Sequence, residues 1–208
     1  LIVSASGGAR AAAKLMRIPV SVIVSDLPEE LGQGRAMRLA ARALTRYDAY
    51  VLLTEAMNAR VNPKKKPYLV VEGQADLSLA TRGNQLAQKR PERVCLYAGM
   101  LHARYGILRL VAAFCSLPDP NARLVVFGTG DAKEALMAAA ERDSRIEYRG
   151  VADNATVVAE EIRATLLVNP RPSDETFTKY SFPSKNLEYM ASGTPLLTTP
   201  LPGMPEEY

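Results

Sequence analysis

The chain has 208 residues, 48% of them hydrophobic, and a net charge of +4, enough apolar material for one or two real cores. Two cysteines, Cys95 and Cys115, sit inside apolar runs without paired spacing, which argues against a disulfide framework or a thiolate metal site and for a reduced, cytosolic protein. No apolar run approaches the roughly 18 residues of a membrane span, and no signal peptide opens the sequence.

In chain order, Leu1–Ser4 reads as a short buried strand, followed by an Ala-rich helix from Gly7-Gly8 to about Arg17. Val20–Ser25 is a β-branched strand ending in Asp26-Leu-Pro28, and a helix is predicted over Gly34–Arg46. Arg35, Arg38, Arg42 and Arg46 recur at three- and four-residue steps and lay a basic stripe on that helix. Residues 1–66 hold 11 Lys/Arg against 5 Asp/Glu, a balance of +6, while the remainder carries −2. A solvated face, an anionic membrane surface and nucleic acid all suit such a stripe. Without interleaved aromatics or a recognisable module, nucleic acid ranks last. Ala49–Leu53, a short helix over Glu55–Val61 and the strand Tyr68–Val71 complete a first α/β unit, 1–72.

Residues 73–92 are polar, carry two glycines and Pro91, and read as a linker. The alternation then restarts over 93–208: strands at Arg93–Ala98, Arg123–Phe127, Arg145–Arg149, Thr165–Asn169 and Thr194–Thr198, with helices at Tyr105–Cys115, Asp131–Arg142, Asn154–Arg163 and Ser184–Ser192. Strands that alternate with helices and read as continuous apolar runs argue parallel sheets covered on both faces. Ligands of such sheets bind at the carboxyl ends of strands. Gly99, Gly128-Thr-Gly130, Gly150, Asn169-Pro-Arg171 and Ser184 all fall there, where one crevice can collect them. Gly128-Thr-Gly130 lacks the third glycine of a dinucleotide fingerprint, so a dehydrogenase reading fails. The chain opens on Leu1 and ends at Tyr208 with no helix after its last strand, as expected of a piece of a longer protein.

The most informative stretch is Ser181-Phe-Pro-Ser-Lys-Asn-Leu-Glu-Tyr-Met-Ala-Ser-Gly-Thr-Pro195. Ser184 suits a helix N-cap and Gly193 a left-handed stop before Pro195. Leu187, Met190 and Ala191 recur at helical spacing and predict the buried face, with Lys185, Glu188 and Ser192 off it. A helix start beside Lys185 favours a phosphate, and Glu188 one turn on suits two sugar hydroxyls. A plain i, i+3 ion pair between Lys185 and Glu188 is the competing reading.

That stretch resembles the donor-site segment of glycosyltransferase family 4, the retaining GT-B enzymes, in its bacterial surface-polysaccharide form. Val24-Ser-Asp-Leu-Pro28, Val51-Leu-Leu-Thr-Glu55, Tyr97-Ala-Gly-Met-Leu101, Val125-Val-Phe-Gly-Thr-Gly130 and Leu201-Pro-Gly-Met-Pro-Glu-Glu-Tyr208 extend the resemblance over most of the chain. It implies two Rossmann-type doubly wound parallel-sheet domains facing a cleft, the first incomplete. It further implies a UDP- or GDP-linked sugar donor, a saccharide or lipid-linked acceptor, and a cytoplasmic enzyme, peripheral at the inner membrane face. Glu188 matches the glutamate that accepts from the ribose hydroxyls. The glutamate eight residues earlier is replaced by Tyr180, and Glu175 is displaced from that position. Met100 and Tyr105 stand where many members carry two diphosphate-binding cations, with Arg104, Arg171 and Lys185 as replacements. Gly150-Val151 resembles the segment lining the nucleobase. Asp26 stands near a sugar-contacting position, with a helix N-cap as its alternative, and His102 reads as an exposed loop residue. No carboxylate pair or His/Cys cluster suggests a metal, so none is expected. Catalytic roles fall to Lys185 and Asp26. The rival readings are a GT-B sugar-nucleotide epimerase, a non-catalytic nucleotide-sugar binding subunit and, last, a basic nucleic-acid binder.

Overall fold

The structure is a computed structural model that describes all residues except 1, 5, 6, 29–31, 33 and 82, and no side chains for 2–4, 7 and 77. Leu1, the start of the first predicted strand, thus lies outside the described residues. The chain divides into two compact units.

Unit one comprises Leu1–Gly73 together with Asp174–Phe182 and Pro202–Tyr208. Its four strands, β1 (Ile2–Ser4), β2 (Ser21–Val24), β3 (Ala49–Leu52) and β4 (Tyr68–Val70), form a parallel sheet in sequential order. Among the described residues, helices α1 (Gly7–Leu15), α2 (Arg35–Leu44) and α3 (Glu55–Val61) accompany them. Val22 and Val24 of β2 and Tyr50 and Leu52 of β3 point to one face, where they pack with Ala13, Leu44, Met57 and Val61. On the opposite face Ile23 is 47% exposed and Leu69 67% exposed, so the alternation of inward and outward residues along β2 is read directly as a one-sided core. Tyr180 packs against that same core. The helix expected to reach Arg46 stops at Leu44, and Arg46 lies in the turn beyond it.

Unit two comprises Gln74–Ser173 and Pro183–Leu201. Its strands are β5 (Arg93–Ala98), β6 (Ala122–Phe127), β7 (Ile146–Gly150), β8 (Leu166–Asn169) and β9 (Leu196–Thr198). They are parallel throughout, in the order β7-β6-β5-β8-β9. The chain builds outward from β5 through β6 to β7, then crosses to the other side of β5 for β8. The adjacent ends of β5 and β8 are therefore a topological switch point. A short helix α4 (Leu77–Ala80) lies in the segment read as a linker. Helices α5 (Ile107–Cys115), α6 (Lys133–Arg142), α7 (Asn154–Arg163) and α8 (Ser184–Ala191) connect the strands. The helix predicted from Tyr105 begins later: Ala103–Tyr105 is a 3-10 turn, and Gly106 (φ 82°) breaks it from α5.

Two cores cover the two faces of this sheet. Leu124 and Val126 pack with Ile107, Val111, Phe114 and Leu136 on one. Val94, Leu96, Ala98, Val125 and Phe127 pack with Val157, Leu167 and Tyr189 on the other. The continuous apolar runs of β5 and β6 are explained by this double burial. The segment before β5 is tied to the same unit. Lys89 donates to the carbonyls of Ile162 and Ala164 (both 2.8 Å) and to the Thr194 hydroxyl (2.9 Å), and Asn84 donates to Ser192 O and Thr194 Oγ1.

Tyr189 joins α8 to the sheet. Its hydroxyl accepts from Ala98 N (2.8 Å) and donates to Ala98 O (3.2 Å). Burial holds its phenol well above the usual range, so it stays a neutral donor and acceptor. Tyr189→Phe keeps the ring and orphans a buried amide. It should cost about 1–3 kcal/mol in urea denaturation, with faster amide exchange at Ala98 than at Leu124.

Candidate functional site

The loops that follow β5, β6 and β7 are fastened to one another by backbone hydrogen bonds. Gly99 N donates to Phe127 O (3.1 Å), Leu101 N to Thr129 O (2.9 Å), Ala132 N to Leu101 O (2.8 Å) and Gly128 N to Gly150 O (2.7 Å). The Tyr148 hydroxyl adds a bond to Gly128 O (2.9 Å). The approach is so close that a Cβ on Gly128 would stand 1.8 Å from the Gly99 oxygen. With φ at 128°, this position is closed to other residues sterically and conformationally.

Above this floor lies a recess of about 340 Å³ bordered by Gly99, Met100, Gly128, Thr129, Val151, Asn154 and Lys185, among others. Of the residues expected to form a nucleotide crevice, the structure brings Gly99, Gly128, Val151 and Lys185 to this one place. Gly130 is turned inward, where a Cβ would meet the Leu101 carbonyl at 2.5 Å. Gly150 ends β7 and supplies its carbonyl to Gly128. Ser184 is exposed at the start of α8. Asp26 belongs to unit one, exposed in the bend after β2.

Helix α8 corrects two expectations. Pro183, not Ser184, is its N-cap, with no side-chain cap bond, and Ser184 is the first helical residue. The buried face is formed by Asn186 and Tyr189, with Ser192 buried just beyond, whereas Leu187, Met190 and Ala191 are only half-buried. Hydrogen bonding explains this inversion. Asn169 Nδ2 at the end of β8 donates to Asn186 Oδ1 (2.8 Å), and Tyr189 is spent on Ala98. Polar side chains can lie inward when every donor has an acceptor. The helix ends as expected, at Gly193 with φ 72°.

With that rotation, Lys185 and Glu188 share the neighbouring face, 30% and 22% exposed. They form the i, i+3 ion pair anticipated as the plain alternative. A third charge, absent from the sequence argument, completes the cluster. Glu161 of α7 is fully buried, and its Oε1 lies 3.3 Å from Lys185 Nζ. Burial pushes the Glu161 carboxyl up to about 7; Lys185 opposes that shift and Glu188 adds to it. The available signal was an acid placed three and four residues after Val158 and Val157, on the helix face that periodicity assigns to the core.

Elsewhere in unit two, the Arg171 guanidinium lies 4.6 Å from the Tyr105 ring centroid and that of Arg104 5.8 Å. Burial lowers the affinity of Arg171 for its proton. His102 is capped by Asp131, Nδ1 to Oδ2 at 3.1 Å, and meets Tyr105 edge-on. A bond from the Ala103 amide, then the contact with His102, holds the Asp131 carboxyl below its usual range. Among the described residues no group of three His, Cys, Asp or Glu is arranged to hold a metal, and no helix is long and apolar enough to cross a membrane. The cysteines are unpaired, and burial raises the Cys95 thiol to about 11. In unit one a larger recess, about 660 Å³, is lined by Arg10, Lys14, Arg17, Arg46, Lys64 and Asp48.

The same fold occurs in solved glycosyltransferase structures. Sucrose-phosphate synthase (tll1590) from Thermosynechococcus elongatus matches with a TM-score of 0.69 at 18% identity, covering 93% of this chain and 54% of its own. Anabaena Alr3699/HepE, solved in complex with UDP and glucose, matches at 0.69 and 16% identity, covering 92% and 55%. The lipopolysaccharide outer core galactosyltransferase WaaB in its apo form matches at 0.66 and 16% identity, covering 96% and 55%. This chain thus spans about half the length of these proteins, and its parallel-sheet architecture is that of the GT-B glycosyltransferases. No curated protein matches it in sequence closely enough to count. Residues 92–208, more than half of the chain, match the family described as glycosyl transferases group 1, and the chain belongs to that family.

Proposed function

We propose that the chain serves a retaining glycosyltransferase that moves a sugar from a UDP- or GDP-linked donor to a saccharide or lipid-linked saccharide in cell-surface polysaccharide synthesis. The observation that carries the reading is the convergence of Lys185 with Gly99, Gly128 and Val151 on one recess beside the β5/β8 switch point. Similar structures, solved with UDP and glucose or with UDP-glucose, support the donor class.

In this reading Val151 and Gly150 border the base, and Glu188 accepts from the ribose hydroxyls. The Ser184 end of α8 and Lys185 meet the diphosphate. As the bond between the anomeric carbon and the diphosphate oxygen breaks, negative charge grows on the leaving group. An ammonium and oriented amides stabilise that charge more than they stabilise the bound donor, which is the requirement for acceleration. No metal is invoked. Arg171, stacked on Tyr105, is the second proposed cationic contact, and Asp26 the proposed acceptor-side residue. Cytoplasmic location follows from the same reading, not from the fold. The rival non-catalytic subunit is favoured by Met100, Tyr105 and Tyr180 standing at three expected charged positions. It predicts donor binding without turnover.

Calorimetric titration of UDP, GDP and ADP tests the site directly. One nucleotide should bind with micromolar to millimolar affinity, and Glu188→Ala should weaken it by about 1.5–3 kcal/mol, the worth of charge-assisted hydrogen bonds. Equal binding by Glu188→Ala would remove the ribose assignment. Product analysis of the full-length enzyme, with and without a saccharide acceptor, separates transfer from epimerisation.

Unit one is read as presenting a basic face to an anionic membrane surface. Arg35, Arg38, Arg42 and Arg46 are exposed, and Arg46 also borders the recess lined by Arg10, Lys14, Arg17 and Lys64. The chain should co-sediment with vesicles of anionic phospholipid and not with zwitterionic ones. Replacing Arg35, Arg38 and Arg42 by Gln should weaken that binding by about 1 kcal/mol per charge at low salt.

A further inference from the structure

Glu161 calls for a reason of its own. Among the described residues it is the only fully buried Asp, Glu, Lys, Arg or His, on a helix face otherwise given to Val157 and Val158. Neither of its carboxylate oxygens meets a well-aligned donor among the described residues, and the charged groups that face it are Lys185 and Glu188. Its cationic partner is Lys185, 3.3 Å away, whose amine is shared with Glu188. The neighbouring charges are otherwise committed. Glu160 faces Arg90, Arg149 and Arg163. Lys89 bonds the carbonyls of Ile162 and Ala164 and the Thr194 hydroxyl, and the Tyr189 hydroxyl is engaged with Ala98.

One ammonium thus stands between two carboxyl groups at the edge of the recess. A buried carboxylate is tolerable while its cation is in place and becomes costly when the cation leaves. Lys185 leaves if it turns to a diphosphate.

We propose that Glu161 is a positioning residue of the nucleotide site, holding Lys185 at the recess and releasing it to an incoming diphosphate by taking up one proton from solvent. This rests on the nucleotide-sugar reading above. The step is a proton transfer: hydronium gives its proton to the Glu161 carboxylate, leaving water and a neutral carboxyl, and the Lys185 charge passes from one anion to another. The proton is available near neutrality because burial already holds this carboxyl near 7. Where Glu161 is ionised it competes with the phosphate for the same amine. Affinity for the diphosphate therefore falls as pH rises through that range.

The test is calorimetric titration of whichever of UDP, GDP or ADP binds, from pH 6.5 to 8.5. Buffers of two ionisation enthalpies are used, with the wild type and Glu161→Gln. The phosphate's own second ionisation lies near pKa 6, so uptake at pH 8 comes from the protein. The wild type should take up a measurable fraction of a proton at pH 8. Glu161→Gln, which matches the protonated acid in shape, should take up none. The ratio of variant to wild-type affinity should climb about three- to tenfold across the range, within the tenfold per pH unit that one titrating group permits. A merely structural role would shift affinity by one factor at every pH and leave proton uptake alike in both proteins, which overturns the proposal. If Glu161→Gln does not fold, the wild type decides by itself, since binding without proton uptake at pH 8 overturns it too. Absence of binding by all three nucleotides is a different result: it overturns the donor-site reading and this inference with it.

Discussion

The disposition of charge at the recess depends on how helix α8 is rotated about its axis, and two buried polar contacts set that rotation. Asn186 faces Asn169 at the end of β8, and Tyr189 faces the backbone of Ala98 at the end of β5. Apolar packing tolerates small rotations because it has no direction. A buried amide or hydroxyl does not, since turning away leaves its partner unsatisfied in a dry environment. Residues 186 and 189 are separated by three positions, as are 185 and 188. Locking the first pair inward therefore places the second pair together on the adjacent face, half-exposed and within reach of each other. The helix that carries the charged residues is held by its own neutral polar ones.

The sheet supplies the other constraint. The strand order runs outward from β5 and then crosses over it, which makes the ends of β5 and β8 the topological switch point of the sheet. The loops beyond these strands are packed closely: a Cβ on Gly106 would stand 2.0 Å from the Pro170 oxygen, and the loops after β6 and β7 are drawn in as well. The glycine at 128 permits a backbone approach that fixes the floor of the recess without using a side chain. A floor fixed by backbone hydrogen bonds beside a shared ammonium divides the labour: shape comes from backbone, charge from Lys185.

Much of this was legible in the sequence. β-Branched runs gave the strands of both units within a residue or two, and Gly193 gave the end of α8, because hydrophobic periodicity and glycine's freedom are local properties. The failures share one physical cause. Leu187, Met190 and Ala191 were expected inside α8 on hydropathy, yet Asn186 and Tyr189 are inside because distant backbone and side-chain groups satisfy them. The burial of Glu161 is illegible in hydropathy for the same reason, since its partner Lys185 lies 24 positions away. Ser184 was read as a cap from its residue type, while Pro183 takes that position and leaves Ser184 helical. Burial of polar groups is a property of pairs, and single-residue scales do not contain pairs.

The charge around position 105 departs from the family pattern in sequence. Met100 and Tyr105 occupy positions where cations were expected, a loss of two charges when the chain is read linearly. In three dimensions Tyr105 offers its ring to two guanidinium groups, Arg171 at 4.6 Å and Arg104 at 5.8 Å. A cation over an aromatic face keeps its charge, and the planar guanidinium retains its fork of donors while its orientation is fixed. The neighbourhood of position 105 is therefore basic, with the charge carried by Arg104 and Arg171. Motif positions and charge positions are separable: the first are set by the backbone, the second by whichever side chains the fold brings to the same few ångströms.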